Sequence, residues 1–104
     1  MPARTLRGLI DNGEDVLILD VRGLSEASEG RIPGSILIPL DELTDRIAGL
    51  DRSRRTVVYC RTGGRGARAV RILRGAGFHD ARNLRGGIDA WRTLDDRSGG
   101  SGLG

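Results

Sequence analysis

Short apolar runs alternate along this chain with longer stretches in which apolar residues recur every three or four positions. A short apolar run that ends in turn residues is typical of a buried strand, whereas the wider spacing is typical of an amphipathic helix. The apolar runs cover residues 16–20, 36–38, 56–59 and 81–84. The helical spacing covers residues 4–11, a segment with Asp41 as its N-cap, a segment from the Cys60 turn to residues 75–77, and a last segment with Ile88, Trp91 and Leu94.

Strands that alternate with helices form a parallel sheet, because each crossover helix returns the chain to the same edge and covers one face. The sequence therefore predicts an α/β fold with a parallel sheet and helices on both faces. The 104 residues, of which 38% are hydrophobic, suffice for one compact domain, which we expect at residues 1–96. Residues 97–104 are mainly Gly and Ser and are predicted to be a flexible tail or linker.

The candidate chemistry lies in the turn that follows the third predicted strand. Cys60, the only cysteine, starts a turn rich in Gly and Arg that leads into a helix. Such a turn directs successive backbone N–H groups into one concavity, and the helix start adds partial positive charge, so an anion is favoured there. A thiolate is an anion. We therefore predict that Cys60 is a nucleophile, with Arg61 and Arg65 holding a negatively charged reactant beside it.

A cysteine without chemistry is the alternative interpretation, because many single cysteines are small hydrophobic residues of the core. Three features favour the interpretation that Cys60 is a nucleophile. Cys60 follows the apolar strand instead of lying inside it, Arg61 and Arg65 flank it, and Gly63 and Gly64 let a ligand approach the backbone closely.

The composition argues against several other classes of protein. One cysteine and one histidine, His79, supply neither a disulfide framework nor a zinc site, so we expect no metal and no cofactor. No apolar segment approaches the ~18 residues that span a membrane, and an unpaired reactive thiol suits a reducing compartment, so a cytoplasmic location is expected. All 17 basic residues are arginine, but the net charge of +3 is interspersed with acids and only three aromatic residues are present, so no nucleic-acid partner is expected.

Three groups of residues follow one another in an order that is more specific than any one of them. They are Asp20-Val21-Arg22 with Glu26 and Gly30-Arg31-Ile32-Pro33-Gly34, then Cys60-Arg61-Thr62-Gly63-Gly64-Arg65, then Gly77-Phe78 with Leu84-x-Gly86-Gly87-x-x-x-Trp91. This ordered set resembles the motifs of the rhodanese family, specifically its single-domain sulfurtransferases. The resemblance covers residues 6–94.

The chain departs from the family pattern at a few positions. Arg31 stands where the family often has His, Ala27 where it often has an aromatic residue, and Gly66 where serine is common; none of these removes the nucleophile. The family's usual first strand has no counterpart, because only five residues precede Leu6. The resemblance therefore implies a rhodanese-like sheet of four or five strands, in the spatial order fourth, third, first, second.

The resemblance also implies a reaction. Cys60 would accept a sulfane sulfur from an anionic donor such as thiosulfate, and a thiophilic acceptor, which is cyanide, a thiol or a protein, would then remove it. The backbone N–H groups from Arg61 to Gly66 would cradle the resulting persulfide. The implied binding residues are Arg61, Thr62, Gly63, Gly64, Arg65 and Gly66. Because the chain has no second cysteine, the acceptor must be external.

Two other functions remain open. A phosphatase or arsenate reductase of the same fold also has a cysteine loop that ends in arginine, but it has one residue more than the four between Cys60 and Arg65, because it wraps a tetrahedral phosphate. A noncatalytic or sulfur-relay module that serves a larger partner protein is the second, since a Gly/Ser stretch such as residues 97–104 is typical of a junction between domains. The presence of Cys60 with its whole loop favours the enzyme.

Four further residues invite smaller predictions. Asp20 and Arg22 are open to a catalytic role, but a structural ion pair is favoured, with Glu26 as the expected partner of Arg22. Trp91 is predicted to lie in the core. His79 is predicted to be exposed and is assigned no role as a base.

Overall fold

A parallel sheet of four strands organises the chain, of which the computed structural model describes residues 1–94. The strands are β1 (Leu17–Asp20), β2 (Ile36–Leu37), β3 (Thr56–Tyr59) and β4 (Ala81–Asn83). The helices are α1 (Ala3–Asp11), α2 (Leu24–Ala27), α3 (Leu43–Arg46), α4 (Gly64–Gly75) and α5, which begins at residue 87 and continues to residue 94. Two 3₁₀ turns, Leu40–Glu42 and Ile47–Gly49, flank α3. The spatial order β2-β1-β3-β4 confirms the prediction.

The two faces of the sheet carry separate hydrophobic clusters, because successive side chains of a strand point to opposite faces. On one face Leu19 and Val58 pack in one cluster with Leu73 of α4. On the other, Val57 lies in a cluster with Leu6 of α1, and this cluster also contains Trp91 of α5. Helices therefore cover both faces, and Trp91 is a core residue, as predicted. Within residues 1–94 no strand precedes α1, so the sheet has four strands and not five.

The second strand is less buried than its sequence indicates. We expected a buried strand over residues 36–38, but only Ile36 and Leu37 pair with β1, and Ile36 is 43% exposed. The reason is that β2 lies at the edge of the sheet, where one side has no neighbouring strand. Ile38 is the buried residue of the three, and its N–H donates to the carbonyl of Asp20.

Two helical features differ from the predictions. Asp41 does not cap a helix, because it lies inside the 3₁₀ turn Leu40–Glu42 and α3 begins only at Leu43. The short helix α2 was not predicted at all. Its four residues include one buried apolar side chain, that of Ala27, so its sequence shows no helical periodicity.

A buried ion pair closes the carboxyl end of β1. The carboxylate of Asp20 accepts hydrogen bonds from Arg22 Nε at 2.9 Å, Arg22 Nη2 at 2.8 Å and the Tyr59 hydroxyl at 3.0 Å. The Arg22 guanidinium also donates to the carbonyls of Gly30 at 2.7 Å and Glu26 at 3.3 Å. Because α2 and the turn after it supply these two carbonyls, the ion pair fixes both to the sheet.

The expected ion pair of Arg22 is thus present, but with a different partner. We predicted Glu26, whereas the carboxylate that pairs with Arg22 is that of Asp20, and Glu26 contributes only its backbone carbonyl. Asp20 and Arg22 lie two residues apart at the end of a strand, so a tight turn of the backbone brings the two side chains together. The Glu26 side chain is turned towards Arg65 instead.

We expect Asp20→Asn to lower the free energy of unfolding by about 3–5 kcal/mol, because it leaves the Arg22 guanidinium buried without a compensating charge. Asp15→Asn is the matched control. It removes the same charge from an exposed pair with Arg54, which contributes about 1 kcal/mol or less. Urea unfolding of both variants measures the difference, and equal losses would contradict the structural role given to the buried pair.

Candidate active site

The Cys60 sulfur is held at the carboxyl edge of the sheet by backbone N–H groups. Cys60 directly follows β3 and is only 1% exposed. Its Sγ accepts hydrogen bonds from the N–H of Gly63 at 3.1 Å and the N–H of Gly66 at 3.3 Å. Gly66 belongs to the first turn of α4, where N–H groups have no partner within the helix. The loop therefore places the sulfur against convergent donors at the start of a long helix, where an anion is favoured.

The last helix holds the loop in this orientation. The N–H of Ile88 donates to the Cys60 carbonyl at 2.9 Å, and the N–H of Asp89 donates to the Arg61 carbonyl at 3.1 Å. This approach requires glycine at position 87, because its φ is +61° and an added Cβ would overlap both carbonyls. These two hydrogen bonds anchor the start of the loop to α5, and the N–H donors to the sulfur follow at Gly63 and Gly66.

Asn83, at the end of β4, supports the loop from the other side. Its Nδ2 donates to the Gly63 carbonyl at 2.9 Å. This bond holds in place the residue whose N–H donates to the Cys60 sulfur. Its Oδ1 is buried and, among the described residues, has no hydrogen-bond partner. This oxygen lies where a Cβ of residue 66 would be, so Gly66 fits beside it without a side chain. Sequence reasoning missed Asn83, and its only signal was its place beside the closing motif.

Arg65 does not point freely into the site. Its Nη1 and Nη2 donate to Oε1 and Oε2 of Glu26 at 2.6 Å and 2.8 Å, which makes a bidentate pair between α4 and α2. The hydrogen bonds from Arg65, together with the N–H of Gly23, hold the pKa of Glu26 down at about 2. Glu26 in turn raises the pKa of Arg65, to which the nearby Cys60 adds a smaller effect. The guanidinium predicted to hold a substrate is therefore bound by a carboxylate of the protein.

The other predicted residues lie at the rim of the loop. Arg61 is 70% exposed, with its Nε 3.7 Å from Oδ2 of Asp89, and both Thr62 and Gly64 are exposed. A cavity of about 210 Å³ adjoins this rim. Its lining residues, all charged, are Arg22, Glu26, Glu29, Arg61, Asp89 and Arg92. Glu29 and Asp89 were not predicted, because they come from segments of the chain that are remote from the Cys60 loop.

His79 lies away from this rim. It is exposed in the connection that precedes β4, at the amino edge of the sheet, whereas Cys60 lies at the carboxyl edge. Residues 1–94 contain no group of three or more His, Cys, Asp or Glu side chains that could hold a metal ion. None of the helices described here is long and apolar enough to cross a membrane.

Comparison with known proteins identifies the family. The protein-family model described as Rhodanese-like domain matches residues 2–94 of the sequence, so the chain belongs to the rhodanese family. The crystal structure of a rhodanese-like domain protein from Staphylococcus aureus superposes with a TM-score of 0.82 and 32% identity, covering 88% of each chain. Single-domain sulfurtransferases are among the homologues.

Two relatives show the contexts in which such a sequence occurs. A protein named sulfurtransferase from Allochromatium vinosum is 38% identical over 78 residues, which are 75% of this chain and 73% of the relative. MoeZ of Mycobacterium tuberculosis, named a probable adenylyltransferase/sulfurtransferase, is 40% identical over 90 residues. That match covers 85% of this chain but only 23% of MoeZ.

Gly87→Ala is expected to lower both stability and sulfur transfer, because the new methyl group forces α5 away from the carbonyls of Cys60 and Arg61. A loss of about 1–3 kcal/mol in the free energy of unfolding is expected for such overpacking. Gly8→Ala is the control, since nothing lies near its Cβ position inside α1 and alanine should stabilise that helix by about 0.5–1 kcal/mol. Thermal unfolding measures the stability of both variants, and an assay of thiocyanate formation measures their sulfur transfer. A Gly87→Ala protein as stable as the natural one would refute the close approach of α5 to the carbonyls of Cys60 and Arg61.

Glu26→Gln is expected to lower stability in a pH-dependent manner. The pKa of Glu26 is about 2 in the folded protein against an ordinary 4.5, so its ionised form stabilises the fold above pH 4.5, and this contribution is lost as the pH falls through 2. Because both partners are more than a third exposed, solvent screening limits the effect to about 1 kcal/mol. Urea unfolding at neutral pH and at about pH 3 should show a smaller difference between variant and natural protein at the lower pH. A difference that grows on acidification would contradict the pair.

Proposed function

We propose that this protein is a rhodanese-type sulfurtransferase that moves a sulfane sulfur from an anionic donor such as thiosulfate to a thiophilic acceptor through a persulfide of Cys60. The observation that carries the proposal is the pair of N–H groups, of Gly63 and Gly66, on the Cys60 sulfur. A thiolate and a persulfide are both anions at nearly the same place, so one set of fixed dipoles serves both states. Relatives named sulfurtransferases support the assignment.

In the first step the Cys60 thiolate attacks the outer sulfur of the donor. With thiosulfate, a bond forms between Sγ and this sulfur, the sulfur–sulfur bond of the donor breaks, and its electron pair leaves with sulfite. One monoanion and one dianion become a persulfide anion and a sulfite dianion, so charge balances without a proton. We propose that the loop from Arg61 to Gly66 binds the donor, with the exposed Arg61 guanidinium at the rim facing the sulfonate.

In the second step the acceptor attacks the outer sulfur of the persulfide and restores the Cys60 thiolate. With cyanide, thiocyanate forms, and one cyanide anion is exchanged for one thiocyanate anion. Cys60 is the only cysteine of the chain, so the persulfide has no neighbouring thiol of the same chain to resolve it. The acceptor is therefore cyanide, a small thiol or a second protein, in a reducing compartment such as the cytoplasm.

A sulfur-relay role within a larger assembly is the second candidate. The match to 23% of MoeZ shows that a domain of this kind forms part of longer proteins. In a relay the same persulfide forms, and the acceptor is a partner protein instead of a small thiol. The domain we propose for either role covers residues 1–96; the predicted flexible tail at residues 97–104 lies outside the described residues.

Incubation with a sulfane donor is expected to add one sulfur atom to the chain, and Cys60→Ser is expected to abolish both this adduct and thiocyanate formation. Serine keeps the size of the side chain but is not activated as a nucleophile by two N–H groups alone. Mass spectrometry of the intact protein and of its peptides locates the adduct. Sulfur transfer by a folded Cys60→Ser protein would overturn the assignment.

A further inference from the structure

One of the two guanidinium groups of the Cys60 loop, that of Arg65, is already paired with a carboxylate. Arg65 enters the first turn of α4, one residue before Gly66, and both of its terminal nitrogens are bound to Glu26. A bidentate arginine–carboxylate pair is the geometry in which arginine also binds sulfonate or sulfate groups. Glu26 therefore occupies the two terminal nitrogens of Arg65, through which this guanidinium would bind an oxyanion of the donor in the same bidentate geometry.

The charges that line the cavity at the rim also balance one another. Three of its lining residues are arginines and three are acids. Arg22 is already committed to Asp20, and Arg61 lies beside Asp89. A dianion that enters this cavity consequently meets carboxylates that match the guanidinium groups one for one, so no excess of positive charge attracts it.

We propose that Glu26 selects the sulfur donor: by holding Arg65 it disfavours the thiosulfate dianion and leaves the site to persulfides of small thiols. This inference rests on the proposed function and narrows its donor. A persulfide R–S–SH presents only one sulfur to the loop, and the N–H groups of Gly63 and Gly66 suffice to receive it. It needs no guanidinium, because it carries no sulfonate at the reacting end.

Atoms, electrons and charge are all conserved in the transfer of sulfur from such a donor. The Cys60 thiolate attacks the outer sulfur of R–S–SH, a bond forms between Sγ and that sulfur, and the sulfur–sulfur bond of the donor breaks. The electron pair leaves with the thiolate R–S⁻, while the proton stays on the transferred sulfur, which becomes Cys60–S–SH. No oxidant or reductant is consumed, because one sulfur–sulfur bond replaces another.

The test measures the formation of the Cys60 persulfide in a single turnover without acceptor, with glutathione persulfide and thiosulfate as the two probes. The natural protein is expected to react with glutathione persulfide at least about tenfold faster at equal, low donor concentration. Glu26→Gln releases Arg65 and should raise the rate constant for thiosulfate about tenfold, the value of one charged hydrogen bond. The rate constant for glutathione persulfide should change less than about threefold, so the donor preference shifts.

Two further variants separate the release of Arg65 from a general change of charge. Glu29→Gln removes one negative charge from the same cavity but has no bond to Arg65, so it should raise the thiosulfate rate constant less than Glu26→Gln does. The double variant Glu26→Gln/Arg65→Gln should lose the gain in the thiosulfate rate constant, because Glu26→Gln acts by releasing Arg65. Equal gains from Glu26→Gln and Glu29→Gln would overturn the assigned role of Glu26.

The outcomes for this inference and for the proposed function are distinct. If neither donor places a sulfur on Cys60, the proposed function itself fails. If sulfur is transferred but the natural protein prefers thiosulfate, the proposed function stands and the selection by Glu26 is refuted. The donor ratio of the natural protein decides the inference even if a variant does not fold.

Discussion

The attachment of the Cys60 loop to the start of α5 is the constraint on which the site depends. The carbonyls of Cys60 and Arg61 accept hydrogen bonds from the first N–H groups of α5, and Gly87 allows this close approach. These hydrogen bonds fix the start of the loop to α5, and the N–H groups that donate to the sulfur follow later in the loop, at Gly63 and Gly66. The first N–H groups of α5, which have no partner within their own helix, and the carbonyls at the start of the loop thus satisfy each other.

The buried ion pair of the fold and the Glu26–Arg65 pair beside the Cys60 loop are connected through α2. The buried Asp20 carboxylate binds the Arg22 guanidinium, which in turn holds the carbonyls of Glu26 and Gly30. The backbone of α2 is thereby fixed, and the Glu26 side chain is directed at Arg65. A structural ion pair inside the fold thus positions a second ion pair at the edge of the Cys60 loop, and we propose that this second pair governs the choice of sulfur donor.

Much of the site was predictable because its main features are local. A strand that ends in a cysteine, followed by paired glycines and a helix, can hardly place its N–H groups anywhere but around the sulfur, and the structure has two of them there. The role of Arg65 was harder to predict, because its partner Glu26 is 39 residues away in the chain. Asn83 and Asp89 were missed for the same reason: each acts on the loop from an element that is remote in sequence.

The sequence by itself determined the fold class, the order of the strands through its family motifs, the core position of Trp91 and the place of Cys60 directly after a strand. These depend on periodicity, turn chemistry and motif order, which are properties of short segments. Only the tertiary structure decided that Ile36 is exposed at an edge, that Arg22 pairs with Asp20, and that Glu26 occupies Arg65. Several carboxylates compete for each guanidinium in a chain with 17 arginines and 14 acids, and only the packed arrangement of elements selects the partner.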